Sequence, residues 1–407
     1  MRILIIGAGA AGISAAETIR NHNKDDEITL ITKDKSPPYS PVALPDYIEG
    51  RVSKEQMLIW DDKLIQEKRI DLLLGRTVIN VNPDERTVET DNGSVLSYDK
   101  LLIASGASPI LPKDLEGRKG LFTLRTLEDA DGIRQQVRER AIIFGAGAVA
   151  VKVAVALRKM GIDVLLLCRT RVLRRLFDED ISQLIHDLLV ANGVKVIGVG
   201  KQTHIIGNPV ERLLIGVQEF KCDGIIAALG VTPNTSFLSE EKIHRGASGG
   251  IMTDERMRTS AEDIYAAGDC AETVDITSGK SYVMALWPPA VEQGKVAALN
   301  MMGLETTYPG TLPGNVVEVF NTTFVSIGSL EGEKIDMDKK GMLSRFTVNK
   351  EGKVIGCQLM GNIDDAGRIS SFIRKGGDIK DLENLKLLST GRLPSARRFF
   401  AGVSPRV

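Results

Sequence analysis

Close cysteine pairs are what this sequence most visibly lacks. Its four cysteines, Cys168, Cys222, Cys270 and Cys357, form no C-x-x-C or similarly close spacing, which argues against a redox dithiol motif or a structural zinc site. They are expected to be small buried apolar side chains in a reduced compartment. Histidine is equally sparse. His22, His186, His204 and His244 are scattered, none in the last third of the chain, and no metal-ligand cluster is expected. With 52 basic and 53 acidic side chains in 407 residues, the formal net charge is −1. No global basic patch is available, which argues against nucleic acid or an anionic membrane as partners. No membrane span is expected either: Ala141 to Leu157 is apolar, but short, and carries Lys152 in its middle. Arg2 before an apolar run could pass for an export signal. The glycine spacing that follows explains those residues better, and a cytoplasmic location is expected.

What the chain does have begins at Arg2. Ile3, Leu4, Ile5 and Ile6 read as a strand buried on both faces, followed by Gly7-Ala8-Gly9-Ala10-Ala11-Gly12 and a run of small, helix-favouring residues. Gly7 permits a tight turn, Gly9 lets the backbone approach a pyrophosphate, and Gly12 lets helix and strand pack closely. The helix that opens here presents free N–H groups and a positive dipole end to an anion. Glu27 to Thr32 is the next strand. An acid normally ends it and holds the ribose hydroxyls. Thr32 stands in that place, with Asp34 two residues on, so either Asp34 reaches back or hydroxyl and backbone groups act alone.

Ser36 to Gly50 is a proline-rich loop leading into a short helix. Asp71 to Glu89 alternates like a β-meander, with Asp91-Asn92-Gly93 as a hairpin turn. Tyr98 to Pro112 is another buried strand ending in Ala104-Ser105-Gly106, small residues that admit a planar cofactor. Leu124-Arg125-Thr126 opens a helix. Arg140 to Met160 then repeats the opening theme, with Gly145-Ala146-Gly147-Ala148-Val149-Ala150 as the turn and alanine replacing the third glycine. Two strand–glycine–helix units imply two nucleotides. The strand after the second turn ends at Cys168 rather than an acid, and Arg169, Arg171, Arg174 and Arg175 follow at once. Guanidinium forks suit a 2′-phosphate, so NADPH is expected over NADH. Gly250 to Glu272 gives a strand ending in Gly268-Asp269, where the acid can bind a polyol hydroxyl. Trp287-Pro288-Pro289-Ala290 starts a helix whose dipole can face an electron-rich ring. From Tyr308 on, short strand-like runs and one helix give a small α+β domain.

The stretches GAGAAG, LLIASGA, LRTLEDA, GAGAVA, AALGVTPN and IYAAGDCAE, in that order, resemble the pyridine nucleotide–disulfide oxidoreductases, flavoproteins with FAD and NAD(P)H sites. The resemblance spans essentially the whole chain. It implies an α/β fold with two Rossmann-like domains, the second inserted in the first, and a C-terminal α+β interface domain. The expected boundaries are 1–112 and 225–303 for FAD, 113–224 for NAD(P)H, and 304–407 for the interface. By the same resemblance, Gly7, Gly9, Ala10, Ala11, Gly12, Thr32, Asp34, Pro41, Val42, Val78, Ala104, Ser105, Gly106 and Arg125 would bind FAD. Gly268, Asp269 on the ribityl chain, and Trp287 and Ala290 on the pyrimidine side would complete that set. Gly145, Gly147, Ala148, Val149, Ala150, Arg169, Arg175 and Gly230 would bind NAD(P)H.

Within the family, YSPVALPDYIEG is similar to the loop that carries the redox cysteine of coenzyme A disulfide reductases and NADH oxidases. Val42 takes the cysteine's place. Neither a cysteine pair nor a C-terminal His–Glu base is present, and thiolate chemistry needs a sulfur, so disulfide reduction is not expected. The loop resembles electron-transfer flavoprotein subunits of anaerobic 2-oxoacid oxidoreductase complexes, with nitrite-reductase-type and rubredoxin- or ferredoxin-reductase flavoproteins as further relatives. Cysteine-free ferredoxin reductases of the family pair a lysine on the active-site helix with a glutamate after the second glycine turn. Those positions are Asp46 and Lys152 here, so a reversed charge pair beside flavin N5 is expected. The implied activity is FAD-dependent NAD(P)H oxidation with electrons passed to an iron–sulfur protein, a partner subunit, a quinone-like molecule or dioxygen. A subunit active only in a larger complex, and an FAD-binding protein with a degenerate nicotinamide site, are the alternatives. A homodimer or a place in a complex is implied by the interface domain.

Overall fold

The computed structural model describes residues 1–111, 115–198, 203–337 and 343–382. Pro112, the expected boundary there, lies outside the described residues, as does Arg397-Arg398-Phe399-Phe400, whose sequence reads as an interaction tail or, in preference, a frayed end.

The apolar run Ile3–Ile6 becomes the central strand, Arg2–Ile6, of a parallel five-stranded sheet. Its neighbours are Lys100–Ile103 on one side and Glu27–Thr32 on the other, with Ile264–Ala266 and Ile70–Leu74 at the edges. All four apolar residues of the central strand are buried, as a strand covered on both faces requires. The second sheet repeats the plan: Arg140–Phe144 lies between Asp163–Cys168 and Gly224–Ala227, with Val194–Gly198 and Leu121–Phe122 outside. In both sheets the strand order reverses at the central strand, where the crevice beyond the strand ends is the ligand position of such folds. Each unit also carries a small antiparallel meander, built from Val78–Asn82, Thr87–Thr90 and Val95–Ser97 in the first, and Thr203–Ile206, Arg212–Ile215 and Gln218–Lys221 in the second. The two connections between units run side by side, Ala107–Pro109 antiparallel to Val231–Pro233.

Three expectations shift. Ile70–Leu74 leaves the meander and pairs parallel with Glu27–Thr32, because Ile70 is buried and its three successive leucines lie half-buried at the sheet edge rather than alternating. The boundary at 224 would cut a strand: Ile225–Ala227 pair with Ile142–Phe144, so the chain changes units after Ala227. The boundary at 303 also moves, since Tyr308 and Thr311 still pack on the first unit, Thr311 against Thr273 at 3.0 Å. The third five-stranded sheet starts at Gly314. It is antiparallel, in the order Gly314–Val319, Thr322–Gly328, Val354–Met360, Leu343–Val348, Glu333–Asp336, with helix Ala366–Arg374 on it. No helix among the described residues is long and apolar enough to cross a membrane.

Candidate functional site: two phosphate cradles and the face between them

The first glycine turn is shaped by backbone contact. Gly7 has φ +108°, and a Cβ there would overlap the Ala104 carbonyl oxygen; a Cβ on Gly12 would overlap the Gly7 carbonyl. Neither position tolerates a side chain. Gly9 differs: its φ is −82°, and a Cβ would meet nothing within 4 Å. That open space lies at the start of helix Ala10–His22, which has no side-chain cap and no acid in its first turn. Its N–H groups are left for an anion. Gly268 presses on this helix start, 3.1 Å from the Ala11 Cβ for an added methyl, and its N–H donates to Gln293 Oε1 at 2.7 Å. Asp269 is thereby set beside Arg125, at 2.5 Å. Helix Trp287–Met301 also starts without a side-chain cap. It packs closely on Ala10–His22 because Gly294 has no Cβ to strike the Ala11 carbonyl.

At the end of Glu27–Thr32 the two polar groups differ in their partners. The buried Thr32 hydroxyl accepts the Asp34 N–H at 3.2 Å. The half-buried Asp34 carboxylate has no hydrogen-bond partner among the described residues, and burial pushes it above the usual carboxylate range. Asp34 is thus the acid left free at this strand end. Ser105 and Gly106 lie where the two crossing connections are stitched together, Ser105 Oγ donating to the Asn234 carbonyl at 2.7 Å. Val78 is buried in the first core.

The second turn copies the first. Gly145 has φ +112° and sits against the Ala228 carbonyl as Gly7 sits against Ala104. Gly147, extended at φ −81°, opens on space, and helix Ala148–Lys159 has no side-chain cap. Ala150 is fully buried, its methyl absorbed where the first turn admits only glycine. Val149 stays 47% exposed at the mouth. Gly230 has φ +112° beside Ile110. Beyond Cys168, Arg169, Arg174 and Arg175 are exposed, whereas Arg171 is spent on the Phe177 carbonyl at 3.2 Å and Ser182 Oγ at 3.3 Å.

The turn Pro41–Ala43 leads into helix Leu44–Glu49, whose Leu44, Tyr47 and Ile48 pack in the second core beside helix Ala148–Lys159. Val42 is 52% exposed. The expected contact pair is not formed. Arg51 takes the Asp46 carboxylate, since the chain folds back past the helix end at Gly50 and brings a guanidinium within reach. Lys152 has no ion pair among the described residues. Burial lowers its ammonium pKa, while Asp46 and Glu318 oppose that only through space. All four cysteines are buried and unpaired; Cys222 is pushed up to about 11 by burial, and Cys168, Cys270 and Cys357 are raised by the same cause.

Comparison with known proteins agrees with this double cradle. The model of the pyridine nucleotide-disulphide oxidoreductase family matches residues 1–294. The chain belongs to this family. It is 33% identical to an NADH oxidase of Methanocaldococcus jannaschii, covering 95% of this chain and 94% of the relative. It is 27% identical to the epsilon subunit of an NADH-dependent phenylglyoxylate dehydrogenase from Aromatoleum evansii, over 94% of both chains. Among solved structures, an NAD-dependent persulfide reductase from A. fulgidus is 29% identical, with a TM-score of 0.88 over 96% of this chain and 80% of its own.

As a pyridine nucleotide-disulphide oxidoreductase, the protein binds FAD and NADH or NADPH and transfers hydride between nicotinamide and flavin. Its own residues fit those groups: each cradle pairs an uncapped helix start with a glycine whose missing side chain leaves space. Sequence reasoning missed Ala228, the counterpart of Ala104, and Gln293, which fixes the Asp269 turn. The repeat itself could have indicated Ala228; nothing local marks Gln293.

Proposed function

We propose that the Gly7–Gly12 cradle, Asp34, Arg125 and Asp269 hold FAD, that the Gly145–Ala150 cradle with Arg169 and Arg175 holds NADPH in preference to NADH, and that the acceptor is an iron–sulfur carrier protein or partner subunit rather than a disulfide. Bound FAD supplies the step from two-electron hydride transfer to one-electron delivery. The protein's part is to place and to exclude. Helix starts receive the phosphates, Asp34 receives ribose hydroxyls, and the exposed arginines neutralise a 2′-phosphate.

The observation that carries the acceptor reading is Val42. An apolar side chain stands in the exposed loop where relatives with disulfide chemistry need sulfur, and all four thiols elsewhere are buried, their pKa values raised by that burial. A buried thiol held protonated is neither nucleophile nor leaving group. Full-length similarity to a dehydrogenase-complex subunit favours a second reading, in which the chain turns over only inside an assembly.

The test is reoxidation. Enzyme reduced anaerobically with NADPH is mixed with an oxidised rubredoxin- or ferredoxin-type carrier, with coenzyme A disulfide, and with dioxygen. Rapid flavin reoxidation by the carrier and none by the disulfide is expected. Reoxidation by the disulfide at a turnover-competent rate overturns the reading, and reduction by NADPH with no reoxidation by any free acceptor supports the complex-bound form.

A further inference from the structure

The loop between Cys168 and helix Glu179–Ala191 bears the exposed arginines, yet it is far from loose. Leu173 adopts φ 51°, unusual for a branched residue, and donates its N–H to the Ala146 carbonyl at 2.7 Å, inside the second glycine turn. Phe177 N–H returns to the Leu173 carbonyl at 3.1 Å. What holds this conformation comes from the third domain. Phe177 packs edge-to-face on Phe324, ring centroids 5.9 Å apart. The fully buried Gln358 grips Asp178 twice: its Oε1 accepts the Asp178 N–H at 2.8 Å, and its Nε2 donates to Asp178 Oδ2 at 2.8 Å. The same Oδ2 lies 3.5 Å from Lys334 Nζ and 3.4 Å from an Arg345 guanidinium nitrogen. Phe324, Gln358, Lys334 and Arg345 all stand on strands of the C-terminal sheet.

We propose that the C-terminal sheet is a specificity element for the nicotinamide nucleotide, in which Gln358 and Arg345, acting through Asp178, are positioning residues that hold the arginine loop against the second cradle. This deepens the NADPH reading and rests on it. An arginine on an unanchored loop loses both side-chain and loop freedom on gripping a phosphate; one on an anchored loop loses far less. The contribution is felt only by the nucleotide that carries the 2′-phosphate. NADH shares the cradle but does not need the arginines.

The experiment is steady-state kinetics of the purified flavoprotein with ferricyanide as acceptor, comparing NADPH with NADH in the wild type and in Gln358→Met, Arg345→Met, Arg345→Lys and Arg175→Ala. Expected for Gln358→Met and Arg345→Met is a KM for NADPH raised about tenfold, with the NADH KM moved less than about twofold and kcat unchanged for both. Arg345→Lys should recover most of the wild-type ratio. A merely structural role lowers the active fraction and scales both coenzymes alike. Equal shifts for NADPH and NADH, or no shift in either methionine variant, overturn the proposal. Should Gln358→Met fail to fold, the pair Arg345→Met and Arg345→Lys, which alters the charge on Asp178 and leaves the Gln358 hydrogen bonds in place, decides. The underlying reading fails separately: Arg175→Ala that leaves the NADPH-to-NADH ratio untouched removes the arginines from 2′-phosphate recognition, whereas a ratio lost in Arg175→Ala but kept in the methionine variants sinks only the role of the sheet.

Discussion

Gly9 and Gly147 are glycines that the folded protein does not need for itself. A Cβ at either meets nothing within 4 Å, and both residues have φ near −80°, where any L-residue is at ease. Alanine at such a helix start costs a few tenths to about 1 kcal/mol relative to glycine, small against a typical stability of about 5–15 kcal/mol. Gly7→Ala is the contrasting case: its methyl would overlap the Ala104 carbonyl with φ at +108°, and that variant should not fold. In Gly9→Ala the new methyl fills the space beside the free helix N–H groups. If it denies a pyrophosphate two charge-assisted hydrogen bonds at about 1.5–3 kcal/mol each, FAD affinity falls roughly 150- to 20,000-fold. Gly147→Ala should keep its flavin and lose nicotinamide nucleotide affinity by a similar factor. The assay is flavin absorbance per polypeptide after gel filtration, FAD and NADPH titrations of each variant, and a melting curve to confirm folding. A folded Gly9→Ala protein that retains FAD like the wild type, or a folded single variant that loses both nucleotides, refutes two independent cradles.

Three further outcomes follow from the charges and thiols. Arg345 hydrogen bonds hold the Asp180 and Asp336 carboxyls below their usual range; carboxyls depressed in the folded state add stability above their unfolded value near 4 and lose it as pH falls through the folded values. The melting temperature should therefore drop as pH goes below about 4, and Arg345→Met should flatten that limb in a pH series of melting curves. The Lys152 ammonium is disfavoured by burial, so its charged form costs stability at neutral pH and the cost fades as pH rises toward 10.5. Lys152→Met should melt about 2 °C higher at pH 7, and a lower melting point would contradict an unpaired charge. Alkylation of the native protein with iodoacetamide should leave NADPH-dependent ferricyanide reduction within about 20% of the untreated rate, because each thiol is buried and held protonated; inactivation in step with modification of one cysteine would place that sulfur in the reaction.

What the sequence shows plainly is whatever one short segment decides by itself. The glycine turns, the uncapped helix starts and the buried strands around them are local, and both cradles are found where residues 2–17 and 140–160 indicate. Features that depend on a distant neighbour are opaque. Ile70–Leu74 could pair in a meander or at a sheet edge until its cover is known. Ile225–Ala227 belong to the second sheet only because Ile142–Phe144 accept them. Asp46 had two cations to choose from, and five residues along the chain, across a left-handed Gly50, Arg51 is the nearer. The grip of Gln358 on Asp178 joins positions 180 residues apart and leaves no local trace.

The central claim, a flavin served by two nucleotide cradles with no sulfur relay, is tested most directly by anaerobic titration of the purified protein with NADPH at the flavin absorbance band. A flavin that is the chain's sole two-electron store should bleach fully with one equivalent of NADPH per flavin. Bleaching that needs two equivalents would reveal a reducible disulfide, and a colourless protein, or a yellow one that neither NADPH nor NADH can bleach, would contradict the account outright.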